Sequence, residues 1–282
     1  MIKLKQKKMR WGPYAFDFST KTYVMGILNV TPDSFSDGGK FIKMEEAVQR
    51  ARQMVEQGAD MIDIGGESTR PGAEKVEEEE ELRRVIPVIE AVRQAVDVPI
   101  SIDTYKANVA EQAIRAGANI INDVWGAKAD SDMASVAARF DVPIILMHNR
   151  EKAEYLDLMN DVVRDLEESI AICQREGVKD ERMILDPGIG FAKTYEHNIL
   201  VMRYLDRIAA MGYPLLLGTS RKSLVARTLN LPVDERVEGT GATVCYGIEK
   251  GADIVRVHDV LEINRMVKMM DVMIGKTEMP TS

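Results

Sequence analysis

Apolar residues gather along the chain into short runs at 23–28, 59–64, 98–102, 118–121, 142–147, 183–185, 214–217 and 252–257. Runs of this length, continuous rather than alternating, are the pattern of strands buried on both faces of a parallel sheet. Between them the apolar spacing changes to that of a helix. Leu82, Val85, Ile86 and Ile89 mark one stripe, and Met159, Val162, Leu166, Ile170 and Cys173 mark another. Three segments end on glycine just before the next run, Gln57-Gly58-Ala59-Asp60, Ala116-Gly117-Ala118-Asn119 and Lys250-Gly251-Ala252-Asp253, as helices do when the chain turns straight into a strand. Eight strand-then-helix units without a Pro/Gly/Ser-rich linker predict an α/β chain folded as a closed (β/α)8 TIM barrel. The glycine fingerprint of an open, dinucleotide-binding sheet is missing, since Gly188-Ile189-Gly190 lacks the third glycine. Residues 1–21 are expected to form an N-terminal arm or hairpin capping the barrel, and residues 22–282 a single domain.

A length of 282 residues suits one barrel of this kind. With 45% hydrophobic and 29% charged residues, no run approaches the roughly 20 apolar residues of a membrane span. The basic start MIKLKQKKMRW has no apolar core of a signal peptide, so the expectation is a cytoplasmic protein with no membrane partner. A balance of 37 basic against 45 acidic residues gives −8, which argues against a nucleic-acid surface and requires local cations for any anionic ligand. Cys173 and Cys245, both within helical patterns, do not make a disulfide framework or a cysteine metal site. The acidic run 77–81, followed by Arg83 and Arg84, reads as the solvated first turns of a helix. Pro87 falls inside the same helical segment and is given no function.

Chemistry in such a barrel sits where strands end and loops begin. Those positions hold Asn29, Asp63, Asp103, Asn122, Asp123, His148, Asp186, the run Ser220-Arg221-Lys222, and Arg256 with His258. Any one alone is best explained as a helix cap or a turn former. Their convergence on one rim is not. Carboxylates with an Asn suit a flat, nitrogen-rich heterocycle, because one carboxylate accepts from two adjacent N–H donors. Lys222, Arg256 and His258, with Arg70 from the second loop, suit a phosphate-bearing group. Met147 and Phe191 fit either the walls of a planar ligand or ordinary packing. His148 and His258 fit either ligand contacts or hydrogen-bonded rim positions, and His197 reads as structural. Two loops, 29–39 and 65–73, are too rich in Gly, Pro and Ser to join a core. Both read as mobile lids, in which Phe35 and Arg70 stand out among small polar neighbours.

The stretches Met25-Gly-Ile-Leu-Asn29-Val-Thr-Pro-Asp33-Ser-Phe35-Ser-Asp37-Gly-Gly39 and Met61-Ile-Asp63-Ile-Gly-Gly-Glu-Ser-Thr69-Arg70-Pro71-Gly72 resemble the two signatures of the bacterial dihydropteroate synthase family. Ser101-Ile-Asp103-Thr, Ile121-Asn122-Asp123, Leu185-Asp186-Pro-Gly-Ile-Gly-Phe191-Ala-Lys, Gly218-Thr-Ser-Arg221-Lys222-Ser223 and Arg256-Val-His258-Asp extend the resemblance from about Thr22 to the last helix. It implies a pterin-binding catalytic domain, a transferase of folate biosynthesis. Such an enzyme joins 6-hydroxymethyl-7,8-dihydropterin diphosphate to p-aminobenzoate by an SN1-like displacement, giving 7,8-dihydropteroate and pyrophosphate. Asp103, Asn122, Asp186 and Lys222 would then bind the pterin edge, with Met147 and Phe191 as candidate walls and Arg256 against its face. Arg256 and His258 would hold the diphosphate, and Asn29, with Asp37 as a weaker candidate, would ligate Mg²⁺. Phe35, Thr69, Arg70, Pro71 and Ser223 would form the p-aminobenzoate pocket. Asp103, Lys222, Arg70 and Asn29 would carry the catalysis. The resemblance also implies a homodimer and a target of sulfonamides, which mimic p-aminobenzoate. Three rival readings remain at this level: a corrinoid-linked methyltransferase on a similar barrel, a pterin-binding protein without turnover, and a phosphosugar enzyme lacking its Schiff-base lysine.

Overall fold

The structure, a computed structural model, describes residues 8–30, 40–67 and 75–279. A hairpin of β1 (Lys8–Trp11) and β2 (Tyr14–Asp17) leads into β3 (Tyr23–Asn29). From there strands and helices alternate: α1 (Lys40–Glu56), β4 (Met61–Gly65), α2 (Glu78–Ala95), β5 (Ile100–Asp103), α3 (Ala107–Arg115), β6 (Ile120–Asp123), α4 (Met133–Phe140), β7 (Ile144–Met147) and α5 (Leu158–Arg175). The second half adds β8 (Met183–Asp186), α6 (Tyr195–Arg203), α7 (Leu205–Ala209), β9 (Leu216–Leu217), α8 (Ser223–Leu229), α9 (Val237–Glu249), β10 (Ile254–Val257) and α10 (Val260–Met273). Strands β3 to β10 form one parallel sheet in the order β8-β7-β6-β5-β4-β3-β10-β9. A parallel bridge between Leu185 and Leu215 joins its two ends, so the sheet curls into the expected (β/α)8 barrel.

Both faces of each strand are buried, which is why the runs look continuous, yet successive side chains go to different places. Val24, Ile62, Ile102, Ile121, Leu146 and Val255 belong to the large cluster shared with the helices. Met25, Met61, Ile120, Ile145, Ile184 and Ile254 belong to a second cluster inside the barrel, together with Met9, Trp11, Phe16 and Phe18 of the N-terminal segment. The hairpin thus plugs the end of the barrel at which the strands begin. Phe16 stacks on Tyr23 with ring centroids 4.0 Å apart, and Trp11 meets Phe16 edge-on at 5.0 Å. Two residues further along the same inner face the chemistry changes: Met61 gives way to Asp63, Ile120 to Asn122, Ile184 to Asp186 and Ile254 to Arg256. The site therefore continues the barrel's interior face beyond its apolar plug.

Gly58, Gly117 and Gly251 hold φ of +101°, +117° and +103°, the left-handed turn that ends a helix and that a side chain would strain. Helix α2 continues through Pro87 to Ala95. Its acidic start is solvated at Glu77, Glu78 and Glu79 as expected, and departs from that reading at Glu81. Glu81 is 1% exposed and Lys106 Nζ reaches both it and Glu67, the latter at 2.6 Å, while Arg84 donates to the Gly66 carbonyl at 2.9 Å. Charge spacing along a helix does not reveal which turn lies against a neighbouring loop.

The ends of the barrel domain are tied together away from the polar mouth. Asp271 of α10, 3% exposed, accepts from both the backbone N–H and the hydroxyl of Thr22 at 2.7 Å. Asp271→Ala would leave two buried donors without a partner, a loss of about 2–4 kcal/mol. Calorimetry should show Tm falling by roughly 5–10 °C, with activity at 25 °C retained.

Candidate active site

The inner-facing side chains at the strand ends meet around Arg256 of β10. Its Nε donates to Asp63 Oδ2 at 2.6 Å and its Nη2 to Asp103 Oδ2 at 2.6 Å, so one guanidinium links β10 to β4 and β5. Asn122 of β6 donates from Nδ2 to the same Asp63 oxygen at 3.1 Å. Asp63, Asp103 and Asn122 are buried, and among the described residues Asp63 Oδ1, Asp103 Oδ1 and Ser101 Oγ have no partner. Each carboxylate has given one oxygen to Arg256 and kept the other as an acceptor. An enclosed acceptor without a donor costs about 1–3 kcal/mol, which a ligand N–H can recover.

Burial raises the Asp103 carboxyl to about 7, against the pull of Arg256 and with a further push from Asp63. Burial also opposes the charge on Arg256, but the carboxylates of Asp63 and Asp103 hold the guanidinium above its ordinary value. On the facing wall, burial raises Asp186, opposed chiefly by Lys222 and by the hydrogen bond from Gly188 N–H at 2.7 Å. Burial lowers Lys222 to about 8, opposed by Asp186. Lys222 Nζ donates to the Ile189 carbonyl and lies 4.8 Å from the centre of the Phe191 ring. A Cβ added at Gly218 would lie 3.8 Å from Lys222 Nζ, 3.9 Å from Arg256 Cβ and 4.0 Å from Asp186 Oδ2. The two walls therefore converge on that glycine, which leaves room for a ligand.

Asp103, Lys222 and Arg256 border a cavity of about 760 Å³, which Asn29, Phe191, His258 and Ser223 of α8 also line; Asp63, Asn122 and Asp186 stand outside its lining. Asn29 is exposed at the end of β3. The backbone N–H of His258 donates to Ser220 Oγ at 3.1 Å, and His258 Nδ1 lies 2.9 Å from the same hydroxyl. Met147 is buried at the end of β7, in register with Asp186, and is not part of the cavity lining. Phe35, Asp37, Thr69, Arg70 and Pro71 lie outside the described residues.

Three strand-end groups serve other ends. Asp123 faces outward and accepts from Trp125 N–H at 2.8 Å and Ala127 N–H at 2.6 Å, closing a turn, with burial raising its carboxyl to about 6. Its neighbour Asn122 shares the inner face of Ile120; strand parity separates the two. Arg221 also lines the cavity, but its guanidinium is committed to Asp259, with Nε donating to Oδ2 at 3.0 Å. His148 is engaged by Asp165 and Lys193, and burial lowers it to about 4. His197 helps cap α6, where its N–H donates to Thr194 Oγ1 at 3.2 Å. Glu67 and Arg236 also line the cavity. Neither stands at a strand end, and Arg236 enters from beyond α8, where no spacing rule points.

The family model described as pterin binding enzyme matches residues 25–258. A dihydropteroate synthase of Clostridium beijerinckii is 60% identical over 269 residues, covering 95% of this chain and 100% of that protein. A crystal structure of dihydropteroate synthase from Clostridium difficile, in the presence of pteroic acid, superposes with a TM-score of 0.89 at 52% identity, covering 92% of this chain and 98% of that one. A Xanthomonas albilineans dihydropteroate synthase with 4-aminobenzoic acid gives a TM-score of 0.89 at 38% identity, covering 98% and 100%. With its inward-facing Asp, Asn, Lys and Arg groups on the same barrel, the chain belongs to the dihydropteroate synthase family of pterin-binding enzymes.

Proposed function

We propose that the enzyme joins 6-hydroxymethyl-7,8-dihydropterin diphosphate to p-aminobenzoate, forming 7,8-dihydropteroate and releasing pyrophosphate. The observation that carries this reading is the Arg256 clamp, with its unpartnered Asp103 oxygen at the cavity. An acceptor next to Asn122, facing Asp186 and Lys222, complements the alternating N–H donors and ring nitrogens of a pterin edge. A guanidinium tied at its edges to two carboxylates has a flat face left for stacking, the role assigned to Arg256. Phe191 would meet the pterin ring, and Met147 would pack below. His258 and Arg256 would hold the diphosphate. Ser223, exposed at the start of α8, would meet the p-aminobenzoate carboxylate, with Phe35, Thr69, Arg70 and Pro71 closing that side.

Mg²⁺ fits the donors at the mouth if it arrives with the substrate. No cluster of three His, Cys, Asp or Glu residues among the described ones forms a protein cage, whereas Asn29 offers a hard amide oxygen beside the cations that would meet the diphosphate. Magnesium commonly takes one or two protein ligands, keeps several waters and shares phosphate oxygens. Asn29 would hold it, with Asp37 as the second candidate, and bound there it would lower the charge of the leaving group. The proposal extends to a cytoplasmic homodimer. No helix among the described residues is long and apolar enough to cross a membrane.

In the proposed course of reaction the methylene C–O bond breaks first, and pyrophosphate carries the electron pair away. The positive charge left on the methylene spreads into the pterin, where the Asp103 and Asp186 carboxylates favour it. The amine of p-aminobenzoate then forms the C–N bond and loses a proton to solvent. Lys222 and Arg256 keep the ring oriented throughout, and no histidine base is needed.

Mixing the protein with pterin diphosphate and Mg²⁺, with and without p-aminobenzoate, tests the reading. Dihydropteroate and pyrophosphate should appear in equal amounts; pterin binding without any pyrophosphate would sink it. Asp103 supplies a second test. Its ionised carboxylate accepts a ligand N–H more strongly than the protonated acid does, so calorimetric affinity for 6-hydroxymethylpterin should fall as pH drops through about 7. Asp103→Asn should weaken binding and flatten that fall. An unchanged profile in the variant would reject the role of Asp103.

A further inference from the structure

Between β8 and α6 the chain reads Asp186-Pro187-Gly188-Ile189-Gly190-Phe191-Ala192-Lys193, with two assigned pterin contacts near its ends. Three of these residues hold left-handed backbone: Gly188 at φ +66°, Gly190 at +87° and Ala192 at +44°. Ala192 has a side chain that resists this region, so surrounding contacts must hold the loop. A Cβ on Gly188 would lie 1.9 Å from the His148 carbonyl oxygen, so the loop backbone is pressed against the end of β7.

The holding contacts are specific. Gly190 N–H donates to Asn198 Oδ1 at 2.7 Å, and the Tyr155 hydroxyl donates to the Ala192 carbonyl at 2.8 Å. Lys193 folds back under the loop, its Nζ 3.0 Å from the Gly188 carbonyl, 3.1 Å from the Phe191 carbonyl and 2.8 Å from His148 Nδ1. His148 Nε2 in turn lies 3.1 Å from Asp165 Oδ2, which also accepts from Arg150 Nε at 2.6 Å. Burial raises Asp165, but the hydrogen bonds from His148 and Arg150 outweigh it and keep the carboxyl below its ordinary range. An ionised carboxylate only accepts, so Nε2 carries the histidine proton and Nδ1 offers a lone pair. Lys193 Nζ consequently faces three acceptors, one for each hydrogen of an ammonium.

We propose that Lys193 is a positioning residue for pterin recognition: oriented by His148 and Asp165, it clasps the Gly188 and Phe191 carbonyls and so fixes the Asp186 carboxylate and the Phe191 ring. Lys193 is not part of the cavity lining and acts through the loop. This inference rests on the pterin reading of Asp186 and Phe191. Burial lowers the Lys193 ammonium to about 7, with Asp186 and Asp165 opposing the fall and Lys222 and Arg150 adding to it. Asp103 and Lys222 titrate in the same range, so substrate discrimination is a cleaner readout than pH.

The test compares full-length wild type with Lys193→Met, using calorimetry with 6-hydroxymethylpterin and steady-state kinetics. Pterin affinity should fall roughly tenfold or more, and KM for the pterin diphosphate should rise in parallel. KM for p-aminobenzoate should stay within about twofold, and Lys193→Arg should recover most of the lost affinity. Unchanged pterin affinity, or equal losses for both substrates, would overturn the proposal. Should Lys193→Met fail to fold, Asp165→Asn decides: a fall in pterin affinity supports the clasp and an unchanged value overturns it. Wild type measured in parallel separates this failure from that of the enzymatic reading, in which wild type itself would release no pyrophosphate.

Discussion

The mouth of the barrel depends on one guanidinium placed between two buried carboxylates. Arg256 reaches Asp63 and Asp103 at 2.6 Å each, and Asn122 donates to the same Asp63 oxygen at 3.1 Å. Two carboxylates this enclosed would repel each other and take up protons without that cation. With it, each commits one oxygen, and of the two remaining oxygens that of Asp103 belongs to a residue lining the cavity. Removing one partner from such a buried set typically costs about 3–5 kcal/mol, because the charge left behind has lost its solvent as well as its partner. Stability and recognition therefore rest on the same three side chains.

The barrel supplies the geometry for this arrangement by changing what its inner face carries. At the hairpin end that face is apolar and filled by Met9, Trp11, Phe16 and Phe18. Two residues along β4, β6, β8 and β10 the apolar positions yield to Asp63, Asn122, Asp186 and Arg256. The plug excludes water beneath the polar groups and leaves them accessible from one side. Enclosure explains the direction of the main shifts: burial raises Asp103 and Asp186 and lowers Lys222. A flat ligand with N–H donors on its edge offers back the partners that folding removed.

Much of this could be read from the chain before any coordinates. Val- and Ile-rich runs bounded by glycine-ended helices specify strands buried on both faces, and that local pattern survives into the fold. Asn29, Asp103, Phe191, Lys222, Arg256 and His258 then share one cavity because strand ends in a closed barrel must converge. Features set by packing between distant elements were not legible. Glu81 looks like another exposed helix acid until Lys106 and the loop at Gly66 are placed beside it. Asp123 and Asn122 look alike until the inner face is identified through Ile120. Lys193 ends the motif at 185–193, but its role requires knowing that the loop folds back onto His148.

The central claim is that Arg256 and its carboxylates act as a unit, and a double-mutant cycle measures that directly. Asp63 is fully buried and outside the cavity lining, so it influences the ligand through Arg256. Calorimetric affinity for 6-hydroxymethylpterin should be compared among wild type, Asp63→Asn, Arg256→Gln and the double variant. The account predicts that the double variant binds within about twofold of the weaker single one, since either change already breaks the unit. Losses that simply add would show independent contacts and contradict it.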